Sequence, residues 1–273
     1  MDYKGYEILE LNEEETAHFY EEEKDKILLK ENEYLGIKNK DGEIFDKFCF
    51  QDGVLRPVRF HKINNIYCGD IKPRNFQQQL AFDLLNDRKV PVKIIKGVYG
   101  SGKDYLMLNK ALELIEKGHF EKIIFIRPNV TIKDVPDIGF LPGDAYEKLA
   151  WALAPFYDKV GGEEGIQILV SKNKLELVPI PFIRGRSFDH SIVYVCEGQN
   201  ITTEIAKLLI SRIGENSELW INADTHQTDN KKFDNDNGIT AMIDKLSGNK
   251  LFGYVYLPKT ERSAVAELAT LLD

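Results

Sequence analysis

Gly97-Val98-Tyr99-Gly100-Ser101-Gly102-Lys103 is a glycine-rich stretch between an apolar run, residues 90–96, and a helical pattern over residues 103–117. A strand, a glycine loop and a helix that opens on lysine are together typical of a phosphate-binding loop. Glycine lets the backbone turn its N–H groups inward around phosphate oxygens, and the helix N-terminus adds the positive end of its dipole. We predict that Lys103 contacts the β- and γ-phosphates of a nucleoside triphosphate; the alternative is a purely structural turn.

Around this loop the chain alternates between strand and helix patterns. Further strands are predicted at residues 122–126, 192–195, 218–222 and 252–257. Helices are predicted at residues 76–86, 145–158, 202–212 and 241–246. This alternation favours a mostly parallel, doubly wound sheet with right-handed crossovers. The predicted fold class is α/β, that of a P-loop NTPase.

The first 74 residues have a different pattern. Residues 12–25 predict an acidic helix, with Asn12 as its N-cap. Short β-prone runs with Asp-Gly turns between them follow at residues 27–29, 33–38, 43–50 and 54–60. We expect a small antiparallel β segment, then a connector over residues 61–74. The predicted division is therefore an extension, residues 1–74, and an ATPase-like domain, residues 75–273.

Composition excludes several classes of protein. The chain has 273 residues, and its 36 Lys and Arg against 44 Asp and Glu give a net charge of −8. The overall negative charge therefore does not attract the protein to nucleic acid or to anionic lipid. No run approaches the roughly 18 apolar residues of a membrane helix, so we expect no membrane partner. The three cysteines have neither disulfide-framework nor zinc spacing, which favours the reducing cytoplasm.

Two positions depart from the usual pattern of metal ligands. The residue after the lysine of a phosphate loop is ordinarily Ser or Thr, whose hydroxyl binds Mg²⁺, and here it is Asp104. A second acidic motif follows the strand predicted at 192–195, where Asp would orient the metal and Glu would polarise water. Glu197 keeps the second role, but Cys196 takes the first position, and Mg²⁺ prefers oxygen. We hypothesise that Asp104 supplies the missing carboxylate.

Several unusual motifs occur in the order found in PhoH-like proteins. After the phosphate loop they are Arg127-Pro128, Gly139-Phe140-Leu141-Pro142-Gly143-Asp144, Arg184-Gly185-Arg186-Ser187, Glu197-Gly198-Gln199-Asn200, Arg212-Ile213-Gly214, Asp224-Thr225-His226-Gln227-Thr228-Asp229 and Glu261-Arg262-Ser263. The resemblance covers about residues 30–273. It is strongest to the ATPase part of PhoH proteins that carry an N-terminal PIN ribonuclease domain.

The resemblance implies an ATPase with a core similar to superfamily 1 helicases. It implies ATP and Mg²⁺ as cofactors and assembly as a homo-oligomeric ring, for example a hexamer. PIN-linked relatives are associated with ATP-dependent RNA unwinding and cleavage, so RNA or single-stranded nucleic acid is the expected partner. Too few residues precede the ATPase part for a PIN domain, so we do not expect ribonuclease activity.

The resemblance also implies roles for individual residues. Gln78 would read the adenine edge, although Gln77 and Gln79 are neighbouring candidates. The full set expected to contact ATP is Gln78, Gly97, Val98, Tyr99, Gly100, Ser101, Gly102, Lys103, Asp104 and Tyr105. The catalytic set is Glu197, Lys103, Gln227 and Arg262, with Gln227 sensing the γ-phosphate or positioning water. The metal set is Asp104, Glu197 and Asp224.

Four departures from the family pattern leave alternatives open. The family has Thr, Asp, Ala and Gly where this chain has Asp104, Cys196, Gly198 and Ala223. Because the first two are metal-ligand positions, they affect expected hydrolysis more than expected binding. The rival hypothesis is a pseudo-ATPase that senses nucleotide or assembles a ring without turnover. A third is a protein-interaction scaffold that docks through the acidic N-terminal helix.

Two further groups of side chains are candidates for contacts with phosphate or bases. Among the arginines at 184, 186, 212 and 262, we rank Arg262 first as the cation that completes the site, within the chain or across a subunit boundary. The aromatic residues Phe140, Trp151, Phe156 and Tyr157 would stack on bases or, as we favour, pack in a core or subunit contact.

Overall fold

The computed structural model describes residues 3–128, 153–224 and 236–261. Its first part is a four-stranded sheet in which β1 (Tyr6–Glu10), β2 (Tyr34–Lys38), β3 (Ile44–Gln51) and β4 (Val54–Pro57) lie in chain order. The pairs β2–β3 and β3–β4 are antiparallel, as predicted. The sequence did not predict β1, which pairs in parallel with β2. The strand predicted at residues 27–29 is wrong, because that segment is irregular and only packs beside the sheet.

The acidic helix begins where the sequence predicts. Helix α1 (Glu13–His18) is capped by Asn12, whose side chain accepts from the Glu15 N–H while the Glu15 carboxylate accepts from the Asn12 N–H. This reciprocal capping box fixes the start of the helix. Residues 19–26 continue as a π turn and a 3₁₀ turn. The connector predicted at residues 61–74 holds a hairpin of β5 (Ile63–Asn65) and β6 (Gly69–Ile71), which the sequence did not predict.

The second part is a fully parallel six-stranded sheet. Its strands are β7 (Val92–Gly97), β8 (Lys122–Ile126), β9 (Leu175–Leu177), β10 (Ser191–Val195), β11 (Glu218–Asp224) and β12 (Phe252–Leu257). Their spatial order is β12-β7-β11-β10-β8-β9, and every neighbouring pair is parallel. The P-loop NTPase fold class is thereby confirmed. Only β9, three residues long, was not predicted.

Helices cover both faces of this sheet. They are α2 (Phe76–Asn86), α3 (Lys103–Glu116), α4 (Ala154–Val160), α5 (Gly162–Ser171), α6 (Thr203–Ile210) and α7 (Gly238–Leu246). One core joins α2 to α5 with one face of the sheet, and a second joins α6 and α7 with the other face. The sequence did not predict α5. The helix predicted at 145–158 is present as α4 from Ala154 onward, and residues 145–152 lie outside the described part of the chain.

The N-terminal sheet is joined closely to the ATPase-like part. The Lys4 carbonyl accepts from the Tyr256 N–H of the edge strand β12 at 3.0 Å. Gly5, at φ +79°, allows this approach, since a Cβ there would lie 1.9 Å from the Tyr254 carbonyl oxygen. Arg56 of β4 makes two hydrogen bonds, of 2.9 and 2.7 Å, to the Asp83 carboxylate of α2. The division at residue 74 therefore remains a proposal, and the two parts share polar contacts across it.

Asn32 is the sharpest test of this junction. It is buried at φ +63°, and its amide nitrogen donates to the carbonyls of residues 249, 250 and 252 at 2.9–3.2 Å. Replacing Asn32 with glycine allows the same backbone conformation and removes the buried side-chain amide that donates to these carbonyls. We expect the free energy of unfolding in urea to fall by about 1–3 kcal/mol. Asn173→Gly is the matched control, because Asn173 is exposed at φ +54°, and it should change stability by less than about 0.5 kcal/mol.

Candidate nucleotide-binding site

A cleft of about 690 Å³ opens at the carboxyl edge of the parallel sheet. Ligands gather at this edge in open α/β sheets. The phosphate loop, the ends of β10 and β11, the hairpin β5–β6 and α4 all contribute to its walls. The residues that line it are Asp70, Ile71, Lys72, Arg74, Gln78, Tyr99, Gly100, Gly102, Lys103, Asp104, Tyr105, Leu106, Ala154, Pro155, Lys159, Cys196, Glu197, Asp224 and Glu261. Most of the site residues predicted from the sequence thus share one cavity.

The phosphate loop has the conformation that an anion site requires. Gly97 ends β7, and Gly100 and Gly102 have φ of +74° and +86°, a region that disfavours other residues. Gly102 is the N-cap of α3 and has no side chain, so no capping side chain accepts from the first N–H groups of the helix. The buried Ser101 hydroxyl has no hydrogen-bond partner among the described residues. The loop is therefore suited to bind phosphate oxygens.

Lys103, the first residue of α3, forms an ion pair inside the cleft. Its Nζ lies 2.9 Å from Oδ2 of Asp224, the last residue of β11, and both side chains are largely buried. The strand β11 lies between β7 and β10, so its carboxyl end points into the cleft beside the phosphate loop. This ion pair holds the Lys103 ammonium group inside the cleft, beside the phosphate loop. A phosphate bound here would compete with Asp224 for Lys103.

Asp104 and Cys196, the two departures at metal-ligand positions, face each other. Oδ1 of Asp104 lies 3.8 Å from Sγ of Cys196, accepts from the Tyr194 hydroxyl at 3.1 Å and accepts from the Asn222 amide. Burial, followed by the Asp104 and Glu197 carboxylates, raises the pKa of the Cys196 thiol well above its usual range. A protonated thiol is a poor metal ligand. The second acidic motif ordinarily has an Asp carboxylate at the position of Cys196. The carboxylate of Asp104 lies directly beside that position.

Glu197 stands directly after Cys196 in a left-handed backbone conformation, at φ +59°. Its N–H donates to Oδ1 of Asn222 at 2.8 Å, and its carboxylate accepts from Nε2 of Gln199 at 2.5 Å. The Gln199 Oε1 in turn accepts from the Asp224 N–H at 2.9 Å. Gln199 therefore links Glu197 to Asp224, two of the acidic residues that line the cleft. The sequence-based prediction named Gln199 only as part of a motif and assigned no role to Asn222 or Tyr194.

Gln78 lies at the start of α2, against the phosphate loop. Its Nε2 donates to the Ser101 carbonyl at 3.0 Å, and its Oε1 accepts from the Arg74 N–H at 2.8 Å. Glu261 closes the same corner, since its N–H donates to the Gly100 carbonyl and its carboxylate accepts from the Asn75 amide. The loop is thus tied to α2 through the Gln78 side chain and to the segment after β12 through the Glu261 backbone N–H. Of these two residues, only Gln78 was predicted as a site residue.

Two tyrosines of the phosphate-loop region are exposed in the cleft. Tyr99 is 46% exposed within the loop, and Tyr105 is 40% exposed on the first turn of α3. The ammonium group of Lys159, in α4, lies 5.2 Å from the centroid of the Tyr105 ring. The cleft therefore presents an aromatic face with a cation beside it.

Other predicted residues lie elsewhere. Arg184 pairs with Glu204 and Arg186 with Glu176, while Arg212 donates to the Arg186 carbonyl, and none of these arginines lines the cleft. Phe156 is fully buried in the first core and Tyr157 packs against that core, which confirms the packing interpretation for both. The remaining candidates, Gln227, Arg262, Phe140 and Trp151, lie outside the described residues.

The acidic residues of the cleft fit a cation that arrives with a nucleotide. Asp104, Glu197 and Asp224 all line the cleft. Across the described ranges, however, no three Asp, Glu, His or Cys side chains converge closely enough to hold a metal ion on their own. Mg²⁺ is usually bound through one or two carboxylates together with phosphate oxygens and water. The donor set fits that mode and does not fit a cage made of protein ligands alone.

Comparison with known proteins matches residues 70–270 to a family model described as PhoH-like protein. Protein PhoH2 of Thermobispora bispora is 35% identical over 205 residues, which are 73% of this chain and 47% of that protein. Protein PhoH2 of Bacillus subtilis is 31% identical over 245 residues, or 86% and 52%. Protein PhoH of Escherichia coli is 30% identical over 178 residues, or 63% and 49%. The chain spans about half the length of these curated relatives.

Within the part of the chain that the structure describes, no helix has the length and apolar character needed to cross a membrane.

Proposed function

Because the chain belongs to the PhoH-like family, which is of the P-loop ATPase type, we propose that it binds and hydrolyses ATP with Mg²⁺. The observation that carries the proposal is the convergence of Lys103, Asp104, Glu197 and Asp224 on one cleft beside a phosphate loop. Hydrolysis would proceed by in-line attack of water on the γ-phosphate.

Each of these side chains has a chemical task in the proposal. Lys103 leaves Asp224 and binds the β- and γ-phosphates. Glu197, oriented by Gln199 and Asn222, takes the proton of the attacking water. Asp104, aided by Asp224, would hold the Mg²⁺ that accompanies ATP, which would supply positive charge beside the phosphates. Gln227 and Arg262 complete the site around the γ-phosphate, Arg262 from the same chain or from a neighbouring subunit of a homo-oligomeric ring.

We also propose that ATP binding drives a conformational change in this protein, and that this change acts on bound RNA or single-stranded nucleic acid. It is supported by the resemblance to helicase-like ATPases and by the position of Arg127, which follows β8 at the carboxyl edge of the sheet. A strand bound along this edge would lie close to the cleft. The net charge of −8 indicates that such binding is local rather than driven by overall charge.

Phosphate release and nucleotide binding, measured on the same samples, test the proposal. We expect the wild-type chain to release phosphate from ATP with Mg²⁺, and single-stranded RNA to change that rate. Glu197→Gln keeps an acceptor for Gln199 but removes the general base, so turnover should fall by at least about 100-fold. Binding of ATP, measured by calorimetry, should change by less than about threefold.

The rival function is a pseudo-ATPase that senses nucleotide or assembles a ring. The contact between Asp104 and the protonated Cys196 favours it, because neither ordinary metal ligand is in place. If ATP raises the melting temperature of the wild-type chain but no phosphate is released with Mg²⁺ or Mn²⁺, the sensor function stands and the enzyme function is lost. If ATP neither raises the melting temperature nor produces heat on titration, both functions fail.

A further inference from the structure

Tyr105 faces the cleft from the first turn of α3, beside Lys103 and Asp104. Every residue from Leu106 to Ile115 on this helix is buried, whereas the Tyr105 side chain is 40% exposed and lines the cleft. Tyr105 and Lys103 line the same cleft, so a nucleotide whose phosphates contact Lys103 could place its base against the Tyr105 ring. The Lys159 ammonium group, 5.2 Å from the ring centroid, comes from a different element, α4.

The amide of Gln78, the residue expected to read adenine, is engaged with the backbone at both ends. It donates to the Ser101 carbonyl and accepts from the Arg74 N–H, and the residue is only 3% exposed. A Cβ at Gly102 would lie 3.1 Å from Nε2 of Gln78, which shows how closely the amide is packed against the phosphate loop. The contacts of Gln78 are therefore those of a side chain that holds the loop in place.

We propose that the nucleobase stacks on Tyr105, with Lys159 at the edge of the stack, and that Gln78 positions the phosphate loop instead of reading the base. The inference rests on the proposed nucleotide binding and specifies how the base is recognised. Every base has a π-face, so stacking supplies affinity without strong selection among bases. Strong selection requires buried polar groups that are left unpaired by the wrong base. The site should therefore accept several nucleoside triphosphates.

Titration of four nucleotides and of inorganic tripolyphosphate, each with Mg²⁺, tests this. We expect the Kd values for ATP and GTP to agree within about tenfold, with CTP and UTP weaker because their rings stack over a smaller area. Tyr105→Ala should weaken ATP binding by about 10- to 100-fold, from the usual value of base stacking. The same variant should leave the Kd for tripolyphosphate unchanged. Tyr105→Phe keeps the aromatic face and should bind ATP like the wild type.

Gln78→Ala provides the second arm. A positioning residue affects the phosphate loop, so the variant should weaken ATP, GTP and tripolyphosphate by similar factors. An adenine reader would instead show a loss confined to ATP. The inference is overturned if Gln78→Ala weakens ATP alone, or if Tyr105→Ala leaves ATP binding unchanged; the proposed nucleotide binding survives both results. Absence of binding by the wild-type chain to any of these ligands would remove the proposed function itself, and the inference with it.

Discussion

The variant Lys103→Ala is expected to lose the thermal stabilisation that ATP gives the wild-type chain. The lysine is the cation at the head of the phosphate loop, and its side chain already lies inside the cleft. A hydrogen bond from an ionised donor to a charged group contributes about 1.5–3 kcal/mol. Its loss should weaken binding of ATP by roughly 10- to 100-fold, since 1.4 kcal/mol corresponds to a factor of ten. Calorimetric titration and the melting temperature at saturating ATP measure the effect.

The same substitution should also lower stability without nucleotide. Lys103 and Asp224 form a largely buried pair at 2.9 Å, so removing the lysine leaves an uncompensated carboxylate. Breaking such a pair from one side costs about 3–5 kcal/mol. Asp224→Asn is the matched control, because it removes the charge that competes for the lysine and keeps the shape of the side chain. In titrations of ATP without Mg²⁺, where the metal role proposed for Asp224 does not enter, this variant should bind ATP at least as tightly as the wild type. Retention of wild-type affinity by Lys103→Ala would contradict the assignment.

Much of the fold could be predicted because its signals are local. The strands of the parallel sheet are buried on both faces, so they appear as short apolar runs, and β8 and β12 begin and end where the sequence predicts. Helix α2 likewise begins after Asn75, whose side chain accepts from the N–H of Gln78. By contrast, β1 has mostly exposed side chains and pairs with a strand more than twenty residues further along the chain, and nothing local marks it.

The candidate site divides in the same way. The phosphate loop follows from local sequence, since a strand, glycines and a helix starting with lysine are adjacent in the chain. The partners of Lys103 and Asp104 cannot be predicted from local sequence, because these contacts depend on β11 lying between β7 and β10. That strand order brings Asp224 to Lys103 and Asn222 to Asp104. A sequence-based prediction could name both acidic residues, but the ion pair and the network arise only once the sheet has formed.

The contact between Asp104 and Cys196 leads to a prediction about how these two residues substitute for the family pattern. In Cys196→Asp a second carboxylate is placed near the first, since Sγ lies 3.8 Å from Oδ1 of Asp104. Two like charges about 4 Å apart repel by up to roughly 4 kcal/mol at an effective dielectric constant near 20. We expect this single variant to lose about 2–4 kcal/mol of unfolding free energy. Cys196→Ser, of similar size and uncharged, is the control and should lose about 1 kcal/mol or less.

The double variant Asp104→Thr with Cys196→Asp should recover most of that loss, because only one carboxylate remains and the threonine hydroxyl can still accept from Asn222. It also restores a hydroxyl and a carboxylate at the two positions where the family places its metal ligands, which suits the oxygen preference of Mg²⁺. We therefore expect a favourable coupling of about 1–3 kcal/mol in urea unfolding. Phosphate release with Mg²⁺ should rise above that of either single variant and of the wild type. Strict additivity of both the stabilities and the rates would mean that Asp104 does not stand in for the carboxylate missing at Cys196.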